Sequence, residues 1–170
     1  MTREIEMDTE FLRRVIVRDL AALQNQLLAY EREEDLWVCP AGIPNSAGTL
    51  VLHLVGNMQH FIGAQLGNTG YIRDRDTEFS ARNVARADLQ AGIRQAIDTV
   101  NATFERLEPA QMEEEFPLEL AGCRLTTSLF ITHLATHLAY HLGQIDYHRR
   151  VVTKRSDAAG AQSIPALVHR

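Results

Sequence analysis

Four long segments with the apolar periodicity of an α-helix constrain most strongly what this chain of 170 residues can fold into. They run from about Asp8 to Glu33, from Asn45 or Ser46 to Leu66, from Ala87 to Leu107, and from Thr126 or Thr127 to Val152. The prolines all lie outside these segments, as expected for a residue that ends helices. The pattern predicts an all-α, up-down four-helix bundle with long connections.

The connections predict how the helices are joined. Residues 67–86 have a charged, irregular sequence that we expect to cross one end of the bundle as a loop. Residues 115–125 alternate weakly and predict a small hairpin or extended arm before the last helix, although Pro117 disfavours a regular strand. We predict one bundle domain over residues 1–152 and a mobile tail over residues 153–170, which lack periodicity.

The composition excludes several classes of protein. The net charge of −5, with no basic stripe, disfavours nucleic-acid binding. Cys39 and Cys123 lie far apart, which predicts reduced thiols rather than a disulfide framework or a thiolate zinc site. The amino terminus is polar, and no apolar run approaches the length of a membrane span. We therefore expect a cytoplasmic protein that does not associate with membranes.

Three histidines in the last segment, His133, His137 and His141, stand four residues apart and share one helical face. Neighbours at this spacing have Cβ atoms about 5–6 Å apart, so two imidazoles can chelate one ion. The outer two are about 12 Å apart along the axis and cannot share an ion comfortably. Spacing alone does not decide which adjacent pair would chelate, and a hydrogen-bonded core histidine is the competing interpretation.

A third ligand has to come from another helix, and His53, in the middle of the second segment, is the best candidate. His60 is weaker because it lies about 10 Å further along the helix axis. His148 precedes two arginines and is predicted to lie at a solvated helix end. His169 lies in the tail, where no neighbouring pattern indicates a metal ligand.

Three imidazoles would leave a coordination position open to water or a thiolate, as in catalytic rather than structural zinc sites. The metalloprotease motif is absent, because Leu134 follows His133 where a general-base glutamate would be needed. No Glu-x-x-His motif for a di-iron centre occurs in the second or fourth segment. The sequence thus favours a mononuclear site.

Two motifs resemble those of the DinB-like (YfiT-type) superfamily. They are the run from Asn45 through His53 to Asn57, and the later run His137-Leu-Ala-Tyr-His141-Leu-Gly-Gln144. The resemblance covers about residues 8–152. It implies a four-helix bundle that binds a divalent metal, zinc or nickel, through His53, His137 and His141.

The resemblance also implies roles for nearby residues. It leaves His133 to packing or to the outer shell of the site, and Asn57 and Gln144 are candidates to orient an imidazole or a bound water. Leu142 stands where the superfamily often has arginine, a minor departure. The segment Arg73–Phe79 resembles a signature of one branch of the superfamily, and we expect it to pair charges across the bundle end.

The leading functional hypothesis from this resemblance is a metal-dependent enzyme that transfers or activates a low-molecular-weight thiol, such as bacillithiol or mycothiol. A metal-dependent hydrolase would use the same histidines and is the alternative. Two further alternatives are a non-catalytic, stress-related bundle with a structural metal or none, and a haem bundle with two axial histidines. We also expect a small-molecule substrate and a homodimer, because the first and third helices have broad apolar stripes.

Overall fold

The computed structural model describes residues 9–160 and 163–168, and it confirms the all-α bundle. The helices of the described residues are α1 (Thr9–Leu28), α2 (Ala47–Asn57), α3 (Arg75–Ser80), α4 (Arg86–Phe104), α5 (Pro109–Glu113) and α6 (Thr127–Thr153). The four long ones, α1, α2, α4 and α6, correspond to the four periodic segments. Asp8, where the first segment was predicted to begin, lies outside the described residues.

The apolar stripes of the four long helices meet in one core. α1 packs against α4 and α6, and α2 packs against α4 and α6 from the other side. Each helix contributes fully buried side chains, among them Leu20, Leu23, Val51, Leu54, Ile93, Val100, Leu138 and Ile145. Burying one such side chain stabilises the fold by about 2 kcal/mol. The stripes of α1 and α4 that suggested a homodimer face each other within the chain, and the homodimer stays a prediction.

Local caps explain where the helices begin and end. The Ser46 side chain accepts a hydrogen bond from the Thr49 backbone N–H at 3.2 Å, so α2 begins where the sequence predicted. α1 ends earlier than predicted, at Leu28, and a separate 3₁₀ turn follows over Glu33–Trp37. Its Trp37 ring lies against Gly48, where an added Cβ would be 2.7 Å from the ring.

The connection over residues 67–86 was wrongly predicted to be irregular throughout, because it contains α3. The Asp74 carboxylate caps this helix by accepting from the Thr77 backbone N–H at 3.0 Å and from its hydroxyl at 2.6 Å. Six residues are too few for a periodic apolar pattern. The short α5 escaped prediction for the same reason.

α2 continues directly into a π-helical segment, Met58–Ala64, which completes the helix predicted to about Leu66. Its bonds join residues five apart, as from the Gln65 N–H to the His60 carbonyl at 3.1 Å. Such wide turns often mark functional sites. Here the segment carries Phe61 into the wall of a cavity.

The predicted hairpin before α6 is a short arm without regular strands in the described residues. Two isolated antiparallel bridges hold it, Glu115 with Thr126 and Leu120 with Cys123. The turn between the inner pair places Ala121 at φ 51° and Gly122 at φ 76°. These left-handed conformations are typical of a tight hairpin turn.

The predicted solvated position of His148, near the end of α6, is wrong, because this side chain faces the core. His148 is 2% exposed; its Nδ1 lies 2.7 Å from the Tyr30 hydroxyl, and its Nε2 donates to the Val38 carbonyl at 2.8 Å. Burial lowers the pKa of His148, and it is a hydrogen-bonded core residue. The adjacent Arg149 is fully buried.

The described part of the tail packs against α1 and the last turns of α6. Arg149 donates to the Asp157 carbonyl at 2.6 Å, and Gln26 of α1 donates to the Ala159 carbonyl. Arg14 reaches the Leu167 carbonyl at 3.1 Å. The division into a bundle and a mobile tail stays a prediction. Among the described residues, no helix is long and apolar enough to cross a membrane.

Candidate metal centre

Three imidazoles converge between α2 and α6. One ring nitrogen from each of His53, His137 and His141 lies within 4.8 Å of the others. The Nε2 atoms of His53 and His137 are 3.1 Å apart. The group could hold a metal ion.

The packing of the two helices explains this convergence. His137 and His141 are one turn apart on α6, with ring centroids 4.5 Å apart, and α2 brings the His53 ring to 5.4 Å from each. His133, one turn earlier, lies outside the group, because its exposed ring stacks on Phe130 at 6.0 Å. The structure thus brings together the three histidines that the resemblance selected.

The spacing and chemistry of the donors fit a tetrahedral cation. Two ligands at about 2.0–2.1 Å from zinc lie about 3.3 Å apart in tetrahedral geometry, close to the 3.1 Å between the two Nε2 atoms. Burial is the main cause that lowers the pKa of His137 to about 4, and repulsion from His141 and His53 lowers it further. Burial likewise lowers the pKa of His53. Both rings are therefore neutral near pH 7, as metal ligation requires.

A carboxylate that the sequence analysis missed sets the orientation of His53. The buried Glu78 of α3 has its Oε2 3.1 Å from Nδ1 of His53. Arg73 holds the same carboxylate through two bonds, of 2.6 and 2.7 Å. Since the paired carboxylate only accepts, Nδ1 carries the ring proton and the Nε2 lone pair faces the other histidines. This carboxylate–histidine arrangement commonly supports metal ligands.

The segment Arg73–Phe79 therefore has a different role from the one expected. Its ion pair forms within the segment, between Arg73 and Glu78, rather than across the bundle end. The Phe79 ring packs 5.0 Å from the His53 ring. The unusual sequence of this segment was the only indication that it matters. The contact of Glu78 with His53 could not be predicted, because it forms only when α3 packs on α2.

The other candidate orienting residues also lie beside the ligands. Gln144 accepts through Oε1 from Nδ1 of His141 at 2.6 Å, which leaves the Nε2 lone pair of that ring free. Asn57 Nδ2 lies 3.1 Å from Nε2 of His53.

Gly56 allows Glu78 to approach His53. A Cβ at Gly56 would overlap the Glu78 carboxylate. We expect Gly56→Ala to displace that carboxylate and weaken divalent-metal binding by about 10–100-fold, the usual cost of losing an outer-shell partner. Glu78→Gln should act in the same direction without a steric clash. Zinc affinity can be measured by competition with a chelating dye.

The matched control is Gly92→Ala on α4, where an added Cβ makes only an ordinary contact with Val55. This variant should bind zinc as the unaltered protein does. Equal affinity in all four proteins would contradict the role assigned to Glu78.

A cavity of about 730 Å³ opens beside the three histidines. His53 and His137 line it at one side, and its apolar wall comes from three elements. The wall residues are Phe61, Leu120, Phe130 and Leu134. The lining is completed by the exposed His133, the buried Asn57, and Ala121, Arg73 and Arg75. A small molecule in this cavity would lie against the candidate metal centre.

Residues 6–165 match the family described as "Protein of unknown function (DUF1572)". No curated protein and no solved structure matches the chain.

Proposed function

We propose that this chain, which belongs to the DUF1572 family, is a metal-dependent enzyme that activates a low-molecular-weight thiol for transfer to an electrophile. We also propose that the family is part of the DinB-like superfamily that its two histidine motifs resemble. The observation that carries the proposal is the convergence of three imidazoles at the edge of a cavity.

The donor set supports catalysis more than a purely structural role. Three neutral histidines leave the full positive charge on a divalent cation and a coordination position free for another ligand. When bound, zinc or nickel would lower the pKa of a thiol or water at that position. A closed structural site would instead have four protein ligands.

The chain's own residues would prepare the site for this chemistry. Glu78 and Gln144 fix the protons of His53 and His141 on Nδ1, so that their Nε2 atoms are ready to bind a cation. The apolar wall of Phe61 and Phe130 excludes water from one side of the cavity. A thiolate loses less hydration free energy than hydroxide when water is removed from the site, because it is the softer and less strongly hydrated anion. This difference favours a transferase over a hydrolase.

The test is a turnover assay with the zinc-loaded or nickel-loaded protein, bacillithiol or mycothiol, and monochlorobimane as the electrophile. We expect loss of free thiol together with the thioether product, detected by mass spectrometry. His137→Ala should reduce the rate to the uncatalysed level, because it removes one of the three proposed ligands.

Two outcomes would contradict the proposal. One is thiol consumption that is equal in the two proteins. The other is displacement of the chloride of monochlorobimane by water instead of by the thiol, with an alcohol and chloride as products, which would favour the hydrolase.

A further inference from the structure

Two arginines line the cavity, but only one is neutralised. Arg73 is bound on two sides by the Glu78 carboxylate. Arg75 is exposed and, among the described residues, makes no ion pair and no hydrogen bond. Its guanidinium lies over the Phe79 ring, 5.2 Å from the centroid. The side chain is thus placed at the cavity by an aromatic contact that leaves its donors free.

The charge of the cavity is opposite to that of the chain. The net charge of the protein is −5, yet within the part of the chain that the structure describes the cavity lining includes two arginines and neither aspartate nor glutamate. Asp74 and Asp76 flank Arg75 in sequence but do not line this cavity. A cation held by the histidines would add positive charge. A cleft of one sign with apolar walls concentrates small molecules of the opposite sign.

The remaining surface of the cavity is apolar and aromatic. Phe61 and Phe130 pack edge to face with centroids 5.1 Å apart, and Leu120 of the arm also lines the cavity. Such a wall suits a hydrocarbon or aromatic body, while a free guanidinium suits a planar or tetrahedral anion. The two kinds of surface occur in the same cavity.

We infer that Arg75 is the anion-recognising residue of the cavity, and that the substrate joins a carboxylate or phosphate to an apolar body. The inference deepens the proposed function and rests on it only in treating this cavity as the substrate site. A guanidinium hydrogen bond to an anion is worth enough to change affinity by about tenfold or more.

The test measures binding without turnover, by isothermal titration of the metal-loaded protein. The probes are 4-ethylbenzoate, 4-ethylphenyl phosphate and the neutral 4-ethylbenzamide, none of which contains a thiol. We expect at least one acid to bind more tightly than the amide. Arg75→Gln should weaken the binding of that acid about tenfold and leave the affinity for the amide unchanged. The tighter acid identifies the anionic group.

The matched control is Arg94→Gln, which makes the same charge change at an exposed position of α4 outside the cavity lining. Its affinity for the acid should stay within about twofold of the unaltered protein, because solvent and salt screen a distant surface charge. Acid binding that is unchanged in Arg75→Gln, or weakened equally in Arg94→Gln, would overturn the inference. A protein that shows this Arg75-dependent binding but consumes no thiol would support the inference and contradict the proposed transferase.

Discussion

His53→Ala should abolish stoichiometric metal binding. The unaltered protein, prepared without a tag and equilibrated with zinc, is expected to hold about one equivalent, and the variant less than about a tenth. Loss of a residue that hydrogen-bonds to a metal ligand already lowers the metal affinity about 10–100-fold, so the loss of one of three ligands should lower it further. Elemental analysis after gel filtration measures the difference.

The control for this variant is His133→Ala, which removes the same type of side chain from the exposed position one turn before His137. It should retain about one equivalent, because His133 lies outside the converging group. Zinc at about 100 times its Kd should also stabilise the unaltered protein and His133→Ala by about 2.7 kcal/mol, but not His53→Ala. Equal zinc content in the His53→Ala and unaltered proteins would show that His53 is not a ligand.

Arg149→Met should cause a large loss of stability. The buried guanidinium donates to Gln26 at 2.9 Å, to Asp146 at 3.2 Å and to the Asp157 carbonyl at 2.6 Å. Methionine is apolar, so the buried Gln26 oxygen loses this donor, and the partly buried Asp146 carboxylate and the Asp157 carbonyl each lose one hydrogen bond. We expect the free energy of unfolding to fall by about 3 kcal/mol. For a chain of this size, the melting temperature should fall by about 6–12 °C.

The adjacent Arg150→Met is the matched control. Arg150 bonds the same Asp146 carboxylate at 2.9 Å, but its side chain is 32% exposed. A pair this exposed contributes about 1 kcal/mol or less, so its melting temperature should change little. Trypsin cleavage after Lys154 and Arg155 should become faster in both variants, since Arg149 holds the Asp157 carbonyl and Arg150 holds the Ser156 carbonyl of the following tail. Equal melting temperatures for the two variants would contradict the structural role of Arg149.

The four long helices and the chelating spacing of His137 and His141 could be predicted because both depend on local geometry. Apolar periodicity of about 3.6 residues is present within each segment, and residues four apart on a helix are neighbours whatever surrounds them. The spacing also allowed a pair formed by His133 and His137. The position of His53 in the second segment already made it the best candidate for the third ligand. Only the resemblance selected the later pair, and the packing of α2 against α6 brings these three histidines together.

The chain sequence by itself determined the all-α class and the helical face that carries the histidines, because these follow from contacts between near neighbours. Only the tertiary structure decided which polar groups have partners. Glu78 reaches His53 across 25 positions of sequence because Gly56 leaves space for it. Arg73 is neutralised by Glu78, while Arg75 has no ion pair within residues 9–160 and 163–168, although both arginines belong to one short segment. Such differences arise when separate helices pack, since burial and charge pairing depend on residues distant in sequence.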